Sequence, residues 1–121
     1  MRPRSAPLIA AGAVLVVFLV VGGILIFRSQ GGGGRAVTLD VTVTGAAAMA
    51  PADLSVHQND TVTLNVRSDR AGEVHLHGYD IHFDTKPGEV ASHTFKATTT
   101  GSFEIEWEST STHLGALAVN P

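Results

Sequence analysis

The chain has 121 residues, eight Lys and Arg against eleven Asp and Glu for a net charge of −3, and no cysteine. The missing cysteine excludes disulfide stapling and thiolate chemistry, and it leaves the redox compartment unread. All eleven acids lie in residues 35–121, where they face five bases for a local net charge of −6. Such a surface repels phosphate backbones and anionic lipid heads, which argues against nucleic acid and peripheral membrane docking and makes cations the natural partners.

Residues 8–27, LIAAGAVLVVFLVVGGILIF, carry no charge and no strongly polar side chain. At 1.5 Å per residue a helix of this length spans roughly 30 Å, the hydrocarbon thickness of a bilayer. The run is longer than the apolar core of a secretory signal and no A-x-A site directly follows it, so an uncleaved single-pass transmembrane helix is predicted. Residues 1–7, with Arg2 and Arg4, then form a short cytoplasmic N-terminus, although Arg28 and Arg35 beyond the span make the charge asymmetry slight. Residues 28–35, RSQGGGGR, read as a Gly-rich linker that reaches roughly 15 Å and tethers residues 36–121 close to the membrane.

Residues 36–121 are long enough for one small core and too short for two. Their hydrophobic period is 2. AVTLDVTV (36–43), TVTLNV (61–66), HTFKA (93–97), SFEIEW (102–107) and LGALAV (114–119) alternate, and β-branched or aromatic residues recur in them. Turn signals separate them at residues 58–60, 68–72, 86–88 and 98–101. About seven short strands spaced this way predict an all-β, Greek-key β-sandwich. Residues 46–50 read as a turn, because Pro51 interrupts the alanines, and no further helix is expected.

The order of the pieces, APADLSVHQNDTVTLNV, then HGYDI, then FKATTTGSFEIEW, then THLGALAV, resembles the cupredoxin-like domains, especially the EfeO-type family of extracytoplasmic proteins, over nearly all of residues 36–121. The resemblance implies a cupredoxin-like sandwich in which the His77-Gly78-Tyr79 step delivers the first copper ligand and further ligands sit in and around the last hairpin. Aligned on Phe103, Ile105 and Gly115, the cysteine position is Trp107, the methionine position is His113 and the intervening histidine position falls near Thr110. A blue-copper centre needs the thiolate, and tryptophan supplies none. Electron transfer of the plastocyanin kind is therefore not expected, and Trp107 is expected to fill the space of the lost site with apolar area.

A sulfur-free metal site is the alternative. Four of the six histidines fall within residues 74–93, and imidazole is the commonest protein ligand of borderline metals. His75 and His77 are two apart, so on a strand both project from one face about 6 to 7 Å apart. In the cupredoxin frame His113 approaches them from the hairpin loop. His82 points away from His77 in an unbroken strand, unless Gly78 kinks it. The candidate ligands are thus His77, His113, His75 and His82, in that order, with Glu108 or Asp80 as oxygen donor. Such a set suits copper first, then zinc or iron. His57 and His93 read as surface residues. Glu104, Glu106 and Glu108 alternate with Phe103, Ile105 and Trp107 and read as the solvated face of a strand.

No serine elbow, HExxH or phosphate loop is present, so no enzyme is expected. The sequence thus predicts a single-pass membrane protein that presents one cupredoxin-like domain on the extracytoplasmic face and holds a copper or related ion there for sensing, storage or delivery. The rival is a metal-free module of the same fold that contacts another envelope protein through the HGY edge or loop 108–113.

Overall fold

The computed structural model describes the backbone of residues 24–27 and all of residues 34–121. The expected N-terminus 1–7, the expected helix as far as residue 23 and most of the expected linker lie outside the described residues. The last four residues of that expected helix, Ile24–Phe27, form a strand (β1). β1 runs antiparallel to β2 (Ala36–Thr44), with Ile24 opposite Leu39 and Phe27 opposite Ala36. ILIF is a strong strand former, and the open edge of β2 offers it hydrogen bonds that a helix end does not use. No helix among the described residues is long and apolar enough to cross a membrane.

The described residues form ten strands in two sheets. The first sheet contains β1, β2, β3 (Ala48–Ala50), β5 (Thr61–Ser68) and β8 (Val90–Lys96). Its order is β1-β2-β5-β8, with β3 on β2 beside β1. The second contains β4 (Asp53–His57), β6 (Gly72–Leu76), β7 (Ile81–Thr85), β9 (Gly101–Trp107) and β10 (Thr112–Asn120), in the order β4-β10-β9-β6-β7. Strands β2 and β5 pair in parallel, as do β4 and β10, and the remaining pairs are antiparallel. A parallel pair cannot be closed by a hairpin. The chain therefore leaves the first sheet after β3, lays β4 in the second and returns with β5, the crossing habit of the expected sandwich. The strands exceed the expected seven because residues 48–50 pair with β2 where a turn was read, β1 joins the sheet, and residues 72–85 fold into a hairpin.

Alternation buries one face of each sheet. Val37, Leu39, Val41 and Val43 of β2 and Val62, Leu64 and Val66 of β5 meet Val74, Leu76, Phe83, Ile105, Trp107, Leu117 and Val119 of the second sheet. Trp107 is 5% exposed. A Cβ on Gly72 would lie 2.2 Å from its indole ring, so β6 must begin with a residue that has no side chain. The turn at residues 57–60 is closed by the buried Asp60 carboxylate, which accepts from the backbone N–H groups of His57 and Arg35, each at 2.9 Å. Those bonds tie the start of β2 to the entry of β5. Trp107→Ala is expected to destabilise the fold by about 3–5 kcal/mol, through lost transfer energy and the cavity left against Gly72, as read by denaturant unfolding.

Candidate metal centre

Strands β6, β7 and β10 of the second sheet, with the turn between β6 and β7, carry the candidate histidines on the face turned away from the core. Burial sets this orientation. Val74 opposes Trp107 and Leu76 opposes Ile105 between β6 and β9, and all four are buried. The intervening pair, His75 opposite Glu106, must then point outward. His75 also opposes His82 across the β6–β7 hairpin, and Glu106 opposes His113 across β9–β10. His82, His75, Glu106 and His113 thus form one row across the sheet.

His77-Gly78-Tyr79-Asp80 is the turn of that hairpin. Gly78 and Asp80 take φ of +83° and +53°, and a Cβ on Gly78 would meet the Phe103 ring at 2.2 Å. Tyr79 packs edge-on to Phe103 and donates its hydroxyl to the Thr99 carbonyl at 2.7 Å, which anchors the turn. The reversal resolves the orientation of His82: the strand is not unbroken, and His82 returns to the same side as His75.

The ring of His75 lies between two others. Its centroid is 4.2 Å from that of His82, with the planes nearly parallel at 9°, and 4.2 Å from that of His77, tilted by 49°. Both nitrogens of His75 face carboxylates, Nε2 at 3.1 Å from Asp80 and Nδ1 at 3.3 Å from Glu108. His82 does the same, with Nδ1 on Glu73 and Nε2 3.3 Å from Asp80. His77 Nε2 lies 2.7 Å from Glu106. Two constellations bring three donor atoms within 4.8 Å of one another: His75, His77 and Glu106, and His75, His82 and Glu108. Donors bound to one zinc or copper ion at about 2.0–2.2 Å are roughly 3 to 3.5 Å apart, so modest side-chain movement closes either set on an ion. Imidazole and carboxylate together suit Cu(II) and Zn(II).

His113 falls in neither constellation. Its Nδ1 lies 2.8 Å from Glu104, and its side chain is 66% exposed. His77 is also not beside the β9–β10 hairpin loop, as the cupredoxin frame led us to expect; its amide donates to the Glu104 carbonyl, well along β9 from the 3-10 turn Glu108–Thr110. The pairing of His77 with His113 expected from the sequence is replaced by one centred on His75. His57 contacts Arg35, and His93 meets the edge of Phe83, both apart from the cluster. Glu106 and Glu73 were not singled out as donors from the sequence. The acid-apolar alternation around Glu106 is legible, but which histidine each acid meets depends on strand pairing. Trp107 occupies the interior as expected, and the cluster lies on the outer face of the sandwich.

No family model and no curated protein matches the chain. Among solved structures, a chain from a heme-copper terminal oxidase dimer aligns over 98% of this chain and 99% of its own at 16% identity and a TM-score of 0.62. A copper-binding protein solved in its apo form aligns over 75% of this chain and 92% of its own at 15% identity and a TM-score of 0.60. Identities this low carry the fold alone. The fold is cupredoxin-like, and the narrower EfeO-type likeness gains no support from them.

The charges make the cluster sensitive to pH. Partial desolvation is the largest single influence on His82 and lowers its pKa, but the Glu73 and Asp80 carboxylates together outweigh it and hold the imidazole above its ordinary 6.5. Asp80 is held below its ordinary 3.8, first by the hydrogen bond from His75 and then by that from His82. A raised histidine stabilises the fold below its unfolded pKa, and the gain is lost as pH rises through the folded value. A lowered aspartate stabilises above its unfolded pKa and loses the gain as pH falls through the folded value. The pair therefore contributes between the two. Titration of the His82 ring by NMR is expected to give a midpoint above 6.5, which moves down in Glu73→Gln.

Proposed function

We propose that the chain is a membrane-anchored, extracytoplasmic cupredoxin-like protein that binds a divalent transition metal, copper before zinc or iron, through the cluster centred on His75. It serves in sensing, storage or delivery, neither as an enzyme nor as a blue-copper electron carrier. The observation that carries this reading is the convergence of three imidazoles on one sheet face in two groups that share His75, each with a carboxylate and with donor atoms within 4.8 Å of one another. Strands fix the positions of His75 and His82, and an anchored turn fixes His77, so little ordering is left for the ion to impose. The absence of cysteine removes the thiolate that rapid copper electron transfer uses. The uncharged, apolar run at residues 8–23, ahead of β1, supports the anchor.

Calorimetric titration of the full-length chain with Cu(II) tests the binding. Saturable binding tighter than about micromolar is expected, lost in His75→Ala while the thermal unfolding transition persists. Weak, unsaturable binding that ignores the substitution overturns the metal role and leaves the interaction module. Topology has a separate test, because a chain without cysteine takes a single reporter thiol. Thr100→Cys, in an exposed loop, is expected to react with a membrane-impermeant maleimide in intact cells. Labelling only after lysis overturns the extracytoplasmic placement.

A further inference from the structure

Resting on the metal-binding reading, we propose that the cluster is a transfer site with two alternative seats for one divalent transition-metal ion, an outer seat at His75, His82 and Glu108 and an inner seat at His75, His77 and Glu106. The two constellations overlap in a single residue, His75. A neutral imidazole offers one lone pair, and its other nitrogen carries the proton. His75 therefore serves one ion at a time. Holding two would require both of its nitrogens to coordinate, and so the loss of its remaining proton.

The geometry favours passage between the seats. His77 and His82 flank His75 at the same centroid separation of 4.2 Å, so an ion that moves keeps His75 and exchanges one imidazole and one carboxylate for another of each kind. Both seats present two nitrogens and one oxygen, so neither is preferred by donor chemistry. They differ in their carboxylate: Glu108 is 42% exposed at the side chain and Glu106 12%, whereas His82 and His77 are alike at 43% and 41%. Asp80, 85% exposed and shared between the Nε2 atoms of His75 and His82, adds negative charge beside the outer seat. An arriving cation meets the Asp80 and Glu108 carboxylates before that of Glu106.

The test is Cu(II) titration of the full-length chain by calorimetry in the wild type, His77→Ala, His82→Ala and the double variant. Ring-15N histidine spectra are recorded beside it at substoichiometric Cu(II). Association constants of alternative seats add, so each single variant is expected to keep one ion per chain with affinity lowered about twofold, the two retained affinities summing to that of the wild type. The double variant is expected to lose more than about a hundredfold, since His75 alone then supplies nitrogen. The paramagnetic ion is expected to broaden the ring signals of His75, His77 and His82 together. Two ions per wild-type chain, or loss of binding in one single variant but not the other, overturns the two-seat arrangement and leaves the metal-binding reading standing. Failure of the wild type to bind Cu(II) overturns both. Far-UV circular dichroism and thermal unfolding verify that the variants fold, and neither His77 nor His82 belongs to the buried core.

Discussion

The register between β6 and β9 is the constraint from which the core and the cluster both follow. Val74 and Leu76 must face Trp107 and Ile105 across the sheet and be buried with them. A slip of β6 by one residue would turn Val74 and Leu76 to water and drive His75 into the core. The apolar contacts that exclude the slip fix the histidine opposite its carboxylate without any contribution from that polar pair. A metal ion or a proton at the site therefore acts on side chains already in place.

Charge on this face is arranged in opposed pairs. Each of His75, His77, His82 and His113 has at least one carboxylate at hydrogen-bonding distance, and Asp80 serves two of them. At His82 the Glu73 and Asp80 carboxylates make the imidazole hold its proton more firmly. Protons and a metal ion compete for the same nitrogens. In water these ion pairs contribute modestly to stability, which leaves their arrangement free to serve binding.

The same frame places the candidate donors outside the sandwich. Trp107 stands where the cupredoxin resemblance puts the copper thiolate, and it packs so closely on β6 that Gly72 has no room for a Cβ. The interior near it is apolar and filled. A site at the lost position would need both the tryptophan removed and new ligands introduced. The outer face needs neither, because two strands and a turn already deliver three imidazoles.

The sequence by itself determined the fold class and the binary pattern. Alternation in AVTLDVTV, TVTLNV and SFEIEW named the buried residues of β2, β5 and β9 because a strand exposes every second side chain, and the Asn59-Asp60 signal marked a turn that the structure closes with the Asp60 carboxylate. Period-two reading also put His75 and His77 on one side. It did not supply the partner of either, since pairing across strands is a long-range choice made by the whole core. Only the tertiary structure decided that residues 77–80 reverse the chain, that His82 therefore stacks on His75, and that Glu106 faces His77 while His113 turns to Glu104. Likewise ILIF reads as the end of an apolar helix in isolation and becomes a strand where β2 offers it an edge. Local pattern dictates which way a side chain points, and packing at long range dictates what it meets.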